Sequence, residues 1–227
     1  MNLSLSMGMG GMGSAGQAAE MAGAMKIFFF LTLLSVAPAI LLTMTSFTRI
    51  VIVLSFLRQA IGVHQSPPNQ VVVGLSLFLS LFLMMPVVKD VYAKAVGPFL
   101  DQKIDYQAGL EQASEPLKKF MFAQTRTSDI ELLLSLSKSD RPKELKDLSM
   151  MVMIPSFILS ELKTAFEISF LIYLPFVLID MVVAMILLTT GMLVLPPVII
   201  SLPFKLMLFV LVDGWNLIVG SLIRSFA

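Results

Sequence analysis

The sequence predicts an all-α, membrane-type protein built of hydrophobic helical hairpins with a small helical polar insert. Three observations predict it. Hydrophobic residues make up 57% of the 227 residues and charged residues only 14%, against ~25% charged in an average soluble domain. The charges are segregated, 20 of the 31 falling between residues 89 and 147; the remainder is almost charge-free, as the surface of a soluble domain is not. The apolar runs are also long. Residues 27–48 hold 22 positions without a charge and residues 71–88 hold 18, near the ~20 that a spanning helix needs.

Composition removes several function classes. A formal net charge of +1 gives no electrostatic pull toward nucleic acid. With no cysteine there is no disulfide framework, no thiolate nucleophile and no cysteine-built zinc or iron–sulfur site. The single histidine, His64, lies in Gly62-Val63-His64-Gln65-Ser66-Pro67-Pro68 and reads as a loop residue, so neither a metal nor a cofactor is expected. His-Glu-x-x-His, Gly-x-Ser-x-Gly and Walker-type phosphate loops are absent, so no enzyme is expected.

In chain order the elements read as follows. Residues 1–26 form a Gly/Met-rich N-terminal segment, with 7–16 expected to be irregular. It lacks the basic n-region of a secretory signal; either a signal has been removed or this version has none. Residues 27–88 read as a first hydrophobic hairpin. Its first helix spans 27–48, is kinked at Pro38 and continues in apolar character to Ile61. Ser66-Pro67-Pro68-Asn69 forms its turn.

Residues 89–149 are the polar insert. Gly97-Pro98 should break it early, Asp105 should cap one short helix, Ser114-Glu115-Pro116 should start a second and Ser128-Asp129 a third. The insert is too small to bury its own core, so it should pack on neighbours. Residues 150–227 form the C-terminal hydrophobic helices, divided by Gly191 and Pro196-Pro197, with a last segment from 204 to 226. Hydropathy thus counts four spans in two hairpins.

Seven charges interrupt the apolar segments: Arg49, Glu161, Lys163, Glu167, Asp180, Lys205 and Asp213. A charge facing lipid at the bilayer centre costs about 2.5–3.5 kcal/mol even on the milder scale, so such residues normally face protein or water. Thr45, Thr48, Arg49, Ser55 and Gln59 form one polar stripe at helical spacing; Ser160, Lys163, Thr164 and Glu167 form another. Lys205 and Asp213, eight apart, should share one side of a helix. The functional alternative is a proton or ion relay. Lacking a dense carboxylate cluster, the structural reading is preferred: charges paired at helix or subunit contacts, where they specify packing.

The 17 Met and 17 Phe residues are mostly core and lipid filling. Met acquires a specific meaning where backbone must be irregular and a soft surface is useful. Gly191-Met192-Leu193-Val194-Leu195-Pro196-Pro197 is such a place. The residues alone leave open helices that face other subunits or an aqueous lumen, a secondary transporter, or an intramembrane protease using Asp180 and Asp213. A transporter should show interrupted helices in two related halves, and only the C-terminal half has a clear interruption. Neither aspartate lies in a Gly-rich loop of the protease kind.

Several motifs together carry a family resemblance. They are Thr45-Ser46-Phe47-Thr48-Arg49-Ile50, Pro67-Pro68-Asn69-Gln70, Pro116-Leu117 with Phe120-Met121 and Gln124-Thr125-Arg126, Ser160-Glu161-Leu162-Lys163-Thr164-Ala165-Phe166, and the unbroken run from Leu202-Pro203-Phe204-Lys205 to Val212-Asp213-Gly214-Trp215. In this order, over roughly residues 27–226, they resemble the FliP/SctR family of type III secretion export-gate proteins, in its flagellar branch.

The resemblance implies a subunit of the flagellar protein export gate, forming the channel through which unfolded flagellar proteins are secreted. It implies a ring of five copies with FliQ and FliR, contacts to FlhB and FlhA, and a place in the bacterial inner membrane at the flagellar basal body. Part of the complex is then expected above the bilayer plane on the periplasmic side, with the polar insert periplasmic. It also implies that Met192, Leu193 and Val194 form a pore gasket. Relatives can carry a run of methionines there, whereas this sequence has Met192 followed by Leu193 and Val194.

Overall fold

The structure is a computed structural model that describes residues 12–63, 66–137, 148–192 and 195–226. Every regular element among them is helical: α1 (Met12–Thr43), α2 (Phe47–Ile61), α3 (Asn69–Val91), α4 (Gly97–Leu100), α5 (Tyr106–Gln124), α6 (Thr127–Ser137), α7 (Met150–Thr189), α8 (Pro197–Leu211) and α9 (Gly214–Arg224). The all-α expectation holds. The chain divides into two compact units, residues 1–41 and 42–227.

The first unit consists of α1 up to residue 41. Its window Gly23–Ile40 is 18 residues of membrane-compatible hydropathy with none of it buried. The hydroxyls of Thr32 and Ser35 donate back to the carbonyls of Phe28 and Leu31 at 2.9 and 2.7 Å. In this way polar side chains satisfy themselves within the helix, as an apolar surrounding requires. Irregularity was expected through residue 16, but α1 already includes Met12 to Gly16; Ala and Gln beyond them are good helix formers and propagate the helix backward.

The second unit holds the core. The helix expected to span 27–48 instead ends at Thr43, and α2 restarts at Phe47. Local hydroxyl chemistry competes with the helix here: Thr45 donates to the Leu42 carbonyl at 2.8 Å, and the Phe47 amide donates to the Thr45 hydroxyl at 3.3 Å. Helices α2 and α3, joined by a short connection containing Pro67 and Pro68, pack side by side. The buried residues of α3 form one narrow stripe, Val72, Ser76, Ser80 and Met84, at every fourth residue. The small residues allow close approach. Ser46 donates to Ser80 at 3.1 Å, and Ser76 donates to its own helix at Val72.

One apolar cluster joins Val53, Leu54 and Leu57 of α2 to Val72 of α3, Ala165 and Phe176 of α7, Phe209 of α8 and Leu222 of α9. A second joins Met121 of α5 and Ile130 and Leu134 of α6 to Val152, Met153 and Phe157 of α7. The 40-residue α7 therefore carries both cores.

The polar insert departs from expectation in two places. Gly97-Pro98 does not break the chain: α3 passes through a wider π-type turn (Tyr92–Val96) directly into α4. Pro is tolerated at a helix start because its missing N–H would be unpaired there anyway. Asp105 does cap α5, accepting from the Ala108 amide at 2.9 Å. But α5 runs on through Pro116, which is buried against its neighbours; tertiary packing outweighs one lost backbone bond. The expected single segment 204–226 is likewise broken, α8 and α9 meeting at a 64° bend. Asp213 sits between them at φ 50°, and the left-handed conformation that Asp tolerates ends the helix. Among the described residues three helices are long and apolar enough to cross a membrane, or four if α8 and α9 count as one.

Candidate functional site in the buried charges and the loop between α7 and α8

Arg49 stands at the start of α2, 2% exposed, against Glu161 in the first third of α7, which is fully buried. The guanidinium makes five hydrogen bonds, as many as it has N–H donors. Nε donates to Glu161 Oε2 at 2.9 Å and Nη2 to Glu161 Oε1. Nη2 also donates to Gln124 Oε1 at 3.3 Å, at the end of α5. Nη1 donates to the carbonyl and hydroxyl of Ser225 at 3.0 and 3.1 Å. The cation lies 3.8 Å from the centroid of the Phe226 ring, a favourable stacking. A two-pronged carboxylate contact of this kind suits Arg and not Lys.

Gln124 extends the network, its side-chain amide donating to the Phe226 carbonyl at 3.1 Å. The Ser160 hydroxyl donates to the Gln124 carbonyl at 3.3 Å and accepts from the Arg126 amide at 3.1 Å. This closes the end of α5, where backbone groups lose their helical partners. Arg126 then pairs with Glu167 at 2.6 Å on the exposed side of α7.

A second pair ties α7 to α8. Lys205 Nζ meets Asp180 Oδ2 at 2.6 Å and the Ala60 carbonyl, near the end of α2, at 3.3 Å. A cation near a helix C-terminus is favoured by the helix dipole. Ser201 donates to the other oxygen of Asp180 at 2.5 Å. Lys205 is 4% exposed.

The seven charges singled out in the sequence thus separate. Arg49 with Glu161 and Asp180 with Lys205 form interhelical pairs within one chain. Glu167 pairs at the surface, and Lys163 is exposed. Asp213 is exposed and does not share a helix with Lys205, because α8 stops at Leu211; its carboxylate accepts from Asn216 at 3.2 Å. Four groups of the network were not singled out beforehand: Gln124, Ser201, Ser225 and Phe226. Gln124 lay in a quoted motif, but nothing in a linear pattern links positions 49, 124, 161 and 225.

The loop after α7 begins with a defined helix ending. Gly191, at φ 76°, donates to the Leu188 carbonyl at 3.2 Å, and Met192 donates to Leu187 at 3.0 Å. This pair of bonds requires a left-handed residue, which Gly adopts without strain. Thr189 and Thr190 hydroxyls cover the Ile186 carbonyl at 2.9 and 3.0 Å. Met192 is thereby held out of the helix and about half exposed, with Leu195 beside the proline pair that starts α8. Leu193 and Val194 lie outside the described residues, as does His64. Behind the loop, α7 and α8 border an apolar groove of about 480 Å³ lined by residues such as Val182, Ile186, Ile200 and Phe204.

The sequence family described as FliP matches residues 30–222, which span both ion pairs and the loop. The chain belongs to the FliP family. It is 52% identical over 201 residues to the flagellar biosynthetic protein FliP of Bacillus subtilis (strain 168), covering 88% of this chain and 91% of that relative. The Treponema pallidum (strain Nichols) FliP is 49% identical, with 91% and 77% covered. That of Aquifex aeolicus (strain VF5) is 48% identical, with 88% and 85% covered.

Proposed function

We propose that the chain is a non-catalytic subunit of the flagellar type III protein export gate, helping to form the channel that unfolded flagellar proteins cross during flagellum assembly. Membership of the FliP family over most of the chain carries this reading. In the proposed assembly five copies form a ring with FliQ and FliR, FlhB and FlhA act on its cytoplasmic side, and the complex sits in the bacterial inner membrane at the basal body. The polar insert then faces the periplasm.

Element dimensions support it. At 1.5 Å per residue, α7 with its 40 residues is roughly 60 Å long, twice the ~30 Å hydrocarbon thickness. A helix this long, carrying Glu161 and Asp180 at different heights, suits an assembly that rises partly out of the bilayer better than a simple span. The apolar faces of α3, α7 and α8 left exposed in one chain are the surfaces that neighbouring subunits cover. Met192, Leu193 and Val194 close the pore as an apolar gasket, since apolar constrictions gate by excluding water. Lumen-lining non-helical backbone is tolerated at such a place.

Purification tests the reading directly. Tagged chain extracted in mild detergent from cells building flagella is expected to carry FliQ and FliR and to run as a particle several times its own mass. A monomer or dimer free of both proteins, from cells that still swim, counts against it.

A further inference from the structure

The Arg49–Glu161 pair joins α2 to α7, yet two of the five bonds of its guanidinium run to a residue 176 positions away. We propose that residues 225–226 are a strap that closes over this pair, and that the docked strap holds α2, α5 and α7 in register. Nη1 finds both of its acceptors on Ser225. With the strap lifted, both N–H groups of Nη1 lose their acceptors in a site that α2, α5 and α7 otherwise enclose. The Phe226 ring, 3.8 Å from the guanidinium carbon, covers the cation's face and keeps water from it. Gln124 grips the strap from the other side through the Phe226 carbonyl at 3.1 Å while also accepting from Arg49. One amide therefore reads whether the pair and the strap are both in place.

The strap is fastened through α9. Leu222 is 1% exposed in the core. One turn later the Ser225 amide donates to Ser221 and Leu222, and its hydroxyl donates to the Leu222 carbonyl at 2.7 Å while accepting from Arg49. The carbonyl end of α9 meets a cation, the favourable sign for a helix C-terminus. Ser225 itself is exposed and Phe226 only partly buried. Only Phe226 of the strap packs against the core, while Ser225 lies on the surface, which makes it a unit that opens before the helices it fastens. Opening admits water to the ion pair and loosens α2 from α7, so the segment works as a conformational latch.

The chain supplies its own probes. Arg224 is exposed immediately before the strap, and Trp215, the only tryptophan, packs on Phe209 at 5.5 Å. Purified full chain in detergent is digested with trypsin, and release of the fragment after Arg224 is followed by mass spectrometry. When reclosing outpaces cleavage, the rate follows the open population, and in Phe226→Ala and Gln124→Ala release is expected to be at least about tenfold faster than in the unsubstituted chain. Trp215 emission and cleavage elsewhere should stay unchanged. Equal release rates from the unsubstituted chain and from Phe226→Ala, with unchanged Trp215 emission, overturn the strap. If Gln124→Ala alters Trp215 emission, its fold is disturbed, and Phe226→Ala and the milder Phe226→Leu decide by the same comparison.

Discussion

Glu161 has no exposed surface and Arg49 almost none, so neither charge can fall back on water if its partner is removed. Breaking one side of such a pair costs on the order of 3–5 kcal/mol. Glu161→Ala is expected to lower the thermal midpoint of the detergent-solubilised chain and the yield of assembled complex together. Lys205→Ala should cost less, because the Asp180 it strands is 29% exposed and keeps Ser201. Full complex yield with export abolished in Glu161→Ala would assign the pair to ion or proton movement instead. Gly214 gives a purely steric test. A Cβ there would lie 2.2 Å from the Phe209 ring, which is held between Phe176 and Trp215 and cannot swing away. Gly214→Ala should therefore destabilise by about 1–3 kcal/mol, the usual cost of overpacking, and shift Trp215 emission. At this scale the sequence told which charges needed an explanation. It did not tell their partners, because Arg49 reaches Glu161 and Ser225 only after four helices converge.

At the scale of elements, the loop between α7 and α8 and the α5–α6 insert have opposite requirements. In the proposed gasket role the loop has to stay apolar and out of the helices. Its first turn is set by Gly191 and the bonds that follow, and Met192 projects beyond it. The cysteine-free background allows a direct test. Met192→Cys is expected to crosslink between copies in the resting complex and to substrate stalled in the channel. Deletion of residues 192–194 should let cells leak ions while the complex still forms. An unreactive thiol together with a tight deletion strain removes the loop from the pore. The insert, by contrast, cannot complete its core alone: Met121, Ile130 and Leu134 are covered by Val152, Met153 and Phe157 of α7. A fragment of residues 89–149 is expected to show no cooperative thermal transition by circular dichroism, and a sharp one would contradict this dependence. Hydropathy located both regions. It missed the continuity of α5 through Pro116 and the break at Asp213. Tertiary packing kept the first helix whole against its proline. The second break was signalled by the Asp213-Gly214 dipeptide, a recognised turn former that the surrounding apolar run concealed.

For the whole molecule, composition and periodicity determined the class. Uncharged runs near the length of a membrane span have few stable solutions other than helices, because backbone groups away from water must bond within their own segment. The order of motifs from Thr45 to Trp215 determined the family. What the tertiary structure decided was pairing. Of the charges in apolar helices, Arg49 found Glu161, 112 positions away, and Lys205 chose Asp180 rather than Asp213. The reason is geometric. A helix reports which residues share its own face, but which face of another helix meets it depends on crossing angle, connection and small-residue stripes such as Val72, Ser76, Ser80 and Met84. Those terms act between segments far apart in the chain and leave no period in the sequence to read.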